Sequence, residues 1–366
     1  MRIGLDVSKS GSADGLGTFT REALGALVRE ADGRHEFLTY DLLGEGSAEG
    51  GDGSLLALLA DPGSRPAADQ LDAFLATSFS APPLPASTRL LFVVYDLTFL
   101  TLPDCHTFGN RLHCLEGLIG ALAHDAELLA ISEQGASELA RLLGRDEAAI
   151  PVLPLAPPPG FQPLAPEELG HLLAPLGLRA DGYLLSVGSL EPRKNLAALL
   201  HAHAALPADL RQAFPLVLAG SPGWKNAALT AEIAAAEAAG YVRHLGRVAQ
   251  ETLVALFGGA ALFAYPSLAE GYGLPIVEAM ACGAPVLTSN ISALPETAGD
   301  AAALIDPYDE KAIAFALKRL LGATEERQQL RQRGLKRAAA LSWQKTARKL
   351  LDLLEARQPS ATRTLP

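Results

Sequence analysis

Residues 267–283 read SLAEGYGLPIVEAMACG, and the apolar run AALFAYP precedes them at residues 260–266. The apolar run predicts a buried strand. The prolines and glycines then predict a turn, Pro275 favours the first position of a helix, and Gly283 ends that helix. The predicted order is thus strand, turn and helix. The unpaired N–H groups at the helix N-terminus then face the turn, where a phosphate or a sugar oxygen can bind. Glu270 and Glu278 bracket the turn, so we interpret the stretch as a ligand site rather than a capped turn without a ligand.

The same stretch carries a family resemblance. Glu270, seven intervening residues and Glu278, with Gly-Tyr-Gly-Leu-Pro between the two carboxylates, resemble the signature of the retaining glycosyltransferases of the GT4 type. The resemblance implies an α/β fold of the GT-B architecture, in which two Rossmann-like domains face each other and the C-terminal helix crosses back to the first domain. It extends over nearly the whole chain and is densest at residues 186–307.

The domain organisation follows from this architecture and from the apolar runs that alternate with helical patterns. We expect an N-terminal acceptor-side Rossmann-like domain at residues 1–170, a C-terminal nucleotide-sugar-binding Rossmann-like domain at residues 171–340, and a crossover helix with a tail at residues 341–366. Residues 44–53 are rich in Gly, Glu and Ser and predict a mobile surface loop. The residues from Gln358 onward predict a disordered tail.

Length and composition fit two domains with one core each. The chain has 366 residues, of which 49% are apolar and 19% are charged, which is enough material for two cores. It contains no uncharged apolar run of about 18 residues, so no membrane-spanning helix is expected. The three cysteines form no disulfide framework and suit a reducing cytosol. We therefore expect a cytoplasmic protein with, at most, weak peripheral contact at the inner face of the membrane.

The charge is distributed unevenly along the chain. Residues 1–175 hold 10 Lys and Arg against 24 Asp and Glu, whereas the remaining residues hold 20 against 17. The acidic first half argues against nucleic-acid binding and against a strong hold on anionic lipid. The cations of the second half suit a domain that binds a nucleoside diphosphate.

A second loop in the C-terminal half carries two adjacent cations. The apolar run at residues 183–187 predicts a buried strand, and GSLEPRKN follows at residues 188–195, ahead of a predicted helix. Arg193 and Lys194 would therefore lie at a strand end just before a helix N-terminus, where an anion binds. The resemblance implies that this pair neutralises the leaving diphosphate.

The resemblance also implies roles for further residues. Catalytic roles fall on Glu270, Arg193, Lys194 and Asp96, with Glu270 contacting the transferred sugar and Glu278 accepting hydrogen bonds from the ribose hydroxyls. The donor-binding residues that it implies are Gly15, Gly17, Ser189, Gly246, Arg247, Val248, Gly271, Tyr272, Gly273, Leu274 and Glu278.

Two glycines near the N-terminus precede a predicted helix. Gly15 and Gly17 come before Thr18, a candidate N-cap, and would let the backbone approach a ligand closely. In the family a glycine-containing loop at this place faces the donor phosphates across the cleft. An ordinary strand-to-helix connection is the alternative.

Polar residues follow two later strands of the first half. Tyr95 and Asp96 come after the apolar run at residues 90–94, so we expect both to face the cleft at the carboxyl ends of the strands. The family usually has histidine where Tyr95 stands, and a tyrosine acts neither as a cation nor as a base at neutral pH. Ser132 fits the family as a residue on the sugar and acceptor side, as does Tyr95, but a helix cap alone also explains Ser132.

The resemblance implies a reaction and its partners. It implies transfer of a hexose or deoxyhexose, mannose- or rhamnose-like, from an NDP-sugar to a glycan or lipid-linked acceptor, with retention, in the assembly of a bacterial surface polysaccharide such as O-antigen. No cofactor and no metal ion are expected. The sequence has no Asp-x-Asp beside a cleft strand and no spaced set of His, Cys and Asp ligands.

Three other functions are alternatives. A catalytically silent nucleotide-sugar-binding module on the same fold is favoured by Tyr95 in place of histidine. An NDP-sugar 2-epimerase shares the architecture but needs acid–base carboxylates and histidines in the cleft, and no matching set occurs. A nicotinamide-dependent Rossmann enzyme is disfavoured because no G-x-G-x-x-G follows the first predicted strand.

Overall fold

The structure of the protein is a computed structural model that describes residues 1–43 and 69–356. The predicted loop at residues 44–53 and the predicted tail from Gln358 lie outside the described residues. Two parallel sheets form the framework. Most of their strands are buried along nearly their whole length, as expected where helices cover both faces of a sheet.

The first sheet belongs to the N-terminal half, and all its pairings are parallel. Its strands are β1 (Arg2–Asp6), β2 (Glu36–Tyr40), β3 (Ala73–Ala76), β4 (Arg89–Val94) and β5 (Glu127–Ala130), in the order β2-β1-β3-β4-β5. The sequence also predicts a strand at Val152 and Leu153, but this prediction is wrong beyond a single parallel bridge between Val152 and Ala130. Pro151 and Pro154 flank the pair, and proline has no N–H to extend a ladder.

The second sheet belongs to the C-terminal half and is also parallel throughout. Its strands are β6 (Leu184–Val187), β7 (Leu216–Ala219), β8 (Val242–His244), β9 (Leu262–Tyr265), β10 (Val286–Ser289) and β11 (Ala302–Ile305), in the order β11-β10-β9-β6-β7-β8. Strands β6 and β9 are neighbours, so the loops that follow them leave the same edge of the sheet side by side.

Helices connect the strands and cover the sheets. Those up to residue 173 are α1 (Gly15–Ala31), α2 (Thr98–Thr101), α3 (Phe108–Ala123), α4 (Glu133–Leu143) and α5 (Pro166–Leu173). Those after it are α6 (Leu196–Ala204), α7 (Ala208–Ala213), α8 (Ala227–Ala238), α9 (Gln250–Gly259), α10 (Leu274–Ala281), α11 (Leu294–Ala298), α12 (Glu310–Gly322), α13 (Thr324–Ala339) and α14 (Trp343–Glu355).

Two helix starts differ from the sequence prediction. Helix α1 begins at Gly15, and its N-cap is Asp14, whose Oδ1 accepts a hydrogen bond from the Gly17 N–H at 3.0 Å. The prediction of Thr18 as the cap is therefore wrong. Helix α10 begins at Leu274, which places Pro275 in the second position of the helix rather than the first.

Helix α14 returns to the first domain. Trp343, Leu350 and Leu354 lie in the same buried cluster as Phe19 of α1, and the Trp343 indole N–H donates to the carbonyl of Pro157 at 3.2 Å. The predicted α/β fold with two facing sheets and a C-terminal helix that crosses back is confirmed.

The domain limits at residues 170 and 340 stay predictions. Residue 170 lies inside α5, and Leu173 at the end of this helix belongs to the buried cluster of the second domain. Residue 340 lies between α13 and α14, directly before the helix that crosses back.

Candidate active site between the domains

The loop between β9 and α10 holds a buried ion cluster centred on Glu270, which is 9% exposed. Its Oε2 accepts a hydrogen bond from Arg193 Nη1 at 2.6 Å, and its Oε1 accepts one from Lys194 Nζ at 2.8 Å. The hydroxyl groups of Tyr265 and Ser267 also donate to Oε1, at 2.8 and 2.5 Å. The predicted residues Glu270, Arg193 and Lys194 are thus brought together although the carboxylate lies 76 or 77 positions from the cations.

A second carboxylate, Glu191, completes the cluster. Its role is not predicted by the sequence pattern. Its side chain is 2% exposed, its Oε1 accepts from Arg193 Nη2 at 2.8 Å, and the same oxygen lies 3.9 Å from Lys194 Nζ. Two carboxylates therefore face two cations in one buried group. The signal in the sequence is an acidic residue within one turn of the cations, in the loop that follows a buried strand.

The ionisation of these groups is strongly coupled. Burial alone would raise the pKa of Glu270, but Arg193 and then Lys194 outweigh burial and hold that pKa at about 2. Burial likewise opposes the charge on Arg193, but Glu270 and Glu191 raise its pKa overall. Burial and the neighbouring Arg193 lower the pKa of Lys194, against the pull of Glu270. Glu270 is thus a carboxylate at neutral pH, and an anion that approaches the cation pair competes with it.

The start of α10 offers unpaired hydrogen-bond donors beside this cluster. Gly273 has a φ of +97°, a left-handed conformation that favours glycine and that turns the chain into the helix. In the described part of the chain, the main-chain N–H groups of Tyr272, Gly273 and Leu274 have no acceptor, and all three residues are buried. Buried N–H groups without partners are uncommon in proteins, which indicates a place for a ligand oxygen.

Glu278, one turn into α10, is a carboxylate without a donor among the described residues. It is part-buried, and burial raises its pKa to about 7. An unpaired carboxylate in an otherwise apolar helix is costly unless a ligand brings hydroxyl groups to it. The unpaired N–H groups and this carboxylate lie on one short stretch of chain, residues 272–278, directly after Glu270.

The two domains touch at the middle of this loop. A Cβ added to Gly271 would lie 2.0 Å from the carbonyl oxygen of Tyr95, so only glycine permits this approach. Gly15 at the start of α1 lies near Leu274, since a Cβ there would be 3.6 Å from Leu274 Cδ1. The helix start of the first domain therefore lies beside the helix start of the second, and the role of Gly15 toward the donor stays a prediction.

The side chains of two other predicted residues, Tyr95 and Ser132, form hydrogen bonds within the first domain. The ring of Tyr95 is buried, packs edge-on to Phe19 at 5.5 Å, and its hydroxyl donates to the carbonyl of Thr77 at 2.8 Å. The prediction that the Tyr95 side chain faces the cleft is therefore wrong, and only its main chain reaches the boundary. Ser132 caps α4 by accepting from the Gly135 N–H at 3.0 Å.

Asp96 lies at the cleft, whereas Gly17 is packed against its own loop. Asp96 Oδ1 accepts from the Thr98 N–H at 2.9 Å and from the Thr98 hydroxyl at 2.6 Å, and its carboxylate lines the cleft opposite Glu270. A Cβ at Gly17 would lie 1.9 Å from the carbonyl oxygen of Ser12. Gly17 is thus required by the fold of its own loop.

The remaining predicted donor-side residues lie at strand ends of the second sheet. Ser189 follows β6, and its carbonyl accepts from the Glu191 N–H at 2.8 Å. Gly246, with a φ of +65°, follows β8, and its carbonyl accepts from the Gly220 N–H at 2.8 Å. Arg247 is exposed and Val248 is part-buried. All four lie at the edge of the sheet from which the loops of the ion cluster leave, but no hydrogen bond or ion pair joins Gly246, Arg247 or Val248 to the cluster among the described residues.

The cleft is narrow. A cavity of about 30 Å³ lies between Asp96, Thr98 and Gln134 of the first domain and Glu270 of the second, roughly the volume of one water molecule. Elsewhere between the domains, the Trp224 indole N–H donates to the carbonyl of Cys105 at 2.6 Å, and Lys225 Nζ donates to that of Asp104 at 2.8 Å. Side chains of the second domain thus bridge to the main chain of the first.

Residues 1–43 and 69–356 show neither a metal-ligand cluster nor a membrane-spanning helix. These residues contain no cluster of three or more His, Cys, Asp or Glu side chains arranged to hold a metal ion. None of their helices combines the length and the apolar character that crossing a membrane requires.

Comparison with known proteins identifies the class of this site. The family model described as "Glycosyl transferases group 1" matches residues 177–337, which include both loops of the ion cluster. O-antigen chain mannosyltransferase B of Escherichia coli is 35% identical over 256 residues, which cover 70% of this chain and 67% of that protein. Serotype-specific mannosyltransferase WbdA of Escherichia coli is 39% identical over 171 residues, 46% of this chain but only 21% of that protein.

Solved structures share the fold. WaaG, described as a glycosyltransferase involved in lipopolysaccharide biosynthesis, has a TM-score of 0.72 and 16% identity over 97% of this chain and all of that chain. HepE of Anabaena, solved with UDP and glucose, has a TM-score of 0.71 and 17% identity over 97% and 99%.

The chain belongs to the group 1 glycosyltransferases and has their GT-B fold. It is therefore a glycosyltransferase, and the resemblance to the GT4 type that the sequence carries at residues 270–278 is confirmed.

Proposed function

We propose that this protein transfers a hexose or deoxyhexose, mannose-like in the first instance, from a nucleoside-diphosphate sugar to a glycan or lipid-linked acceptor, with retention of the anomeric configuration and without a metal ion. The mannosyl donor and a role in O-antigen assembly are supported by the names of the two Escherichia coli relatives. The proposed location is the cytoplasm, with weak peripheral contact at the inner face of the membrane where the acceptor is lipid-linked.

The observation that carries the proposal is the ion cluster beside the unpaired N–H groups. Arg193 and Lys194 form a cation pair whose partner Glu270 is supplied by the protein itself. The N–H groups of Tyr272 and Gly273 have no acceptor among the described residues. Cations and buried N–H donors aimed at one place stabilise an anionic leaving group without reorganisation during the reaction.

In the proposed complex, the diphosphate of the donor takes the place of the Glu270 carboxylate at the cation pair. Glu270 then accepts hydrogen bonds from hydroxyl groups of the transferred sugar, and the unpaired Glu278 accepts them from the ribose. The nucleobase would lie against Gly246, Arg247 and Val248. Binding of the donor would thus give hydrogen-bond partners to the unpaired N–H groups at the start of α10 and to the Glu278 carboxylate.

The proposed transfer step is a same-face displacement. The bond between the anomeric carbon and the diphosphate oxygen breaks while the acceptor hydroxyl forms a bond to the same face of that carbon. The acceptor proton passes to the leaving phosphate oxygen, so no protein base is required. Asp96, on the opposite wall of the cleft from Glu270, would orient the acceptor hydroxyl.

A transfer assay tests the proposal. The protein is incubated with GDP-mannose, and then with other NDP-sugars, in the presence of EDTA and a mannose-terminated oligosaccharide, and the anomeric protons of the product are followed by NMR. We expect an axial linkage from an axially linked donor.

An inverted product would contradict retention, and activity that is lost in EDTA and restored by a divalent cation would contradict metal independence. Nucleotide-sugar binding without transfer or hydrolysis would indicate the silent module, and sugar epimerisation would indicate the 2-epimerase.

The donor base can be identified independently of turnover. A nucleotide at about 100 times its Kd stabilises a protein by about 2.7 kcal/mol, which a thermal-shift screen of UDP, GDP, dTDP and ADP resolves. Lys194→Ala serves as the matched control, because it removes one of the two cations that would hold the diphosphate.

A further inference from the structure

Glu296 connects the two domains through a helix N-terminus. It lies in α11 of the second domain, and its two carboxylate oxygens accept hydrogen bonds from the first two N–H groups of α4 in the first domain. Oε1 accepts from the Glu133 N–H at 2.8 Å, and Oε2 accepts from the Gln134 N–H at 3.1 Å. A carboxylate at a helix N-terminus is favoured by the free N–H groups and by the helix dipole. Ser132 caps the Gly135 N–H from within the first domain, so the two domains share the capping of α4.

The backbone around Glu296 is held in place from the second domain. Arg337 of α13 donates to the carbonyls of Glu296, at 2.8 Å, and of Thr297, at 3.2 Å. The Thr297 hydroxyl donates to the carbonyl of Tyr272 in the loop that carries Glu270. The position of the Glu296 carboxylate is therefore tied to the loop of the ion cluster.

The helix that Glu296 caps also forms a wall of the cleft. Gln134 and Glu138, one turn apart on α4, line the small cavity opposite Glu270, and the Gln134 amide donates to Glu138 at 3.0 Å. Gln134 thus takes part in both contacts, since its main-chain N–H binds Glu296 and the residue lines the cavity. A shift of the first turn of α4 would move this wall relative to Glu270.

We propose that Glu296 is a positioning residue for the transfer step, which by capping α4 across the cleft sets the distance between the wall formed by Gln134 and Glu138 and the reacting centre at Glu270. The kinetic part rests on the proposed function. The bridge must break when the cleft opens to admit a donor and re-form before transfer. Its effect therefore falls on the rate of the bound complex rather than on donor binding, because the cations and N–H groups proposed to hold the diphosphate, at residues 193–194 and 272–274, lie in the second domain.

The test compares Glu296→Gln with Glu133→Gln. The Glu296→Gln variant keeps the size of the side chain but has one acceptor oxygen instead of two. Its amide NH₂ would lie against an N–H donor, so one of the two bridging hydrogen bonds is lost. The second removes a carboxylate from the same helix start without removing either bridging bond. Hydrogen exchange of the Glu133 and Gln134 amides is measured on both proteins without substrate, and kcat and the donor KM are measured in the transfer assay.

In Glu296→Gln we expect the two amides to lose protection, kcat to fall about tenfold, and the donor KM to stay within about twofold, since small misplacements of reacting groups lower rates by one to two orders of magnitude. Glu133→Gln should match the wild type. Glu296→Asp keeps the charge but shortens the reach, and should lower kcat as well.

Four outcomes would overturn the proposal: amides that are unprotected in the wild type, a kcat of Glu296→Gln within about twofold of the wild type, equal losses in the two Gln variants, or a loss confined to the donor KM. The exchange measurement does not depend on transfer. Protected amides in a wild-type protein that transfers no sugar would therefore contradict the proposed function and the kinetic role while leaving the bridge itself in place.

Discussion

The two walls of the cleft differ in what their polar groups are bonded to. On the second-domain wall, the N–H groups of Tyr272 and Gly273 and the carboxylate of Glu278 have no partner among the described residues. On the first-domain wall, the hydroxyl of Tyr95 is bonded to Thr77 and that of Ser132 to Gly135. Both walls have polar residues at strand ends, so position alone does not mark a binding group. The second-domain wall differs because its N–H donors and its carboxylate acceptor have no hydrogen-bond partner in the described chain.

The first-domain wall contributes shape and main-chain contacts instead. Gly271 approaches the Tyr95 carbonyl so closely that no side chain fits between them, and Glu296 binds main-chain N–H groups of α4. Such contacts are largely independent of side-chain identity on the first-domain side. That wall can therefore vary in sequence and still dock on the same second domain.

The largest effect is expected from Gly271→Ala. The added methyl would lie 2.0 Å from a first-domain carbonyl, so the cleft cannot close as it does here, and we expect transfer to fall by more than about a hundredfold. Gly170→Ala in α5 is the control for the added methyl, because a Cβ there would have no atom within 4 Å. The comparison is made by kcat/KM, and similar values for the two variants would show that this contact is not needed for transfer.

Lys194→Ala should lower turnover by about a hundredfold, the scale of losing one preorganised contact to a leaving group. Lys318→Ala removes an exposed lysine of α12 and controls for net charge. Steady-state kinetics would contradict the assignment if Lys194→Ala turned over within about threefold of the control.

Glu270→Gln should separate binding from turnover. It removes the carboxylate that competes for Arg193 and Lys194, so we expect the free nucleotide to bind about tenfold more tightly while transfer slows, since burying unpaired cations is unfavourable and an entering anion relieves it. Calorimetry with the nucleotide product measures the first effect. Weaker nucleotide binding than in the exposed control Glu251→Gln would exclude a competing role for Glu270.

Glu278→Gln should change the pH dependence of stability. Because the folded-state pKa is raised from 4.5 to about 7, the folded protein binds a proton more readily than the unfolded chain, so the free energy of unfolding falls as pH rises from about 4.5 to 7. The loss is at most about 3 kcal/mol. The glutamine variant should lack this decline and melt at a higher temperature at pH 8, but bind nucleotide more weakly. A thermal melt series at pH 5 to 8 checks the sign, and equal slopes in the two proteins would contradict it.

Tyr95→Phe should have the smallest effect on transfer. Its hydroxyl is bonded to Thr77 inside the first domain, so stability should fall by about 1 kcal/mol and kcat should change by less than about twofold. A large loss of kcat without a loss of stability would show that the Tyr95 hydroxyl reaches the substrate in another conformation.

The sequence predicts the framework well where one physical signal dominates. Buried parallel strands are continuous apolar runs, so β6 and β9 and the turn before α10 can be read from residues 183–187 and 260–275 directly. The cations and Glu270 are recognisable because they lie in the loops that follow these two strands and because Glu270 belongs to the GT4-type signature.

The remaining parts of the site depend on contacts between distant segments. Whether Tyr95 turns toward the cleft or into the core depends on the space beside Phe19, which no local pattern encodes. The capping of α4 by Glu296 depends on how two domains dock. The role of Glu191 could not be predicted, because a glutamate near a lysine in the sequence is ordinarily a solvated ion pair. Its place in the cluster depends on two distant loops that meet in the fold.

The crossing of α14 has a consequence for synthesis of the chain. Trp343, Leu350 and Leu354 fill a buried face of the first domain beside α1, yet they are made after the whole second domain. Until the ribosome has passed these residues, the N-terminal domain presents an uncovered apolar surface, which is the kind of surface that chaperones bind. A stop codon before Trp343 would therefore damage the first domain and leave the second sheet intact.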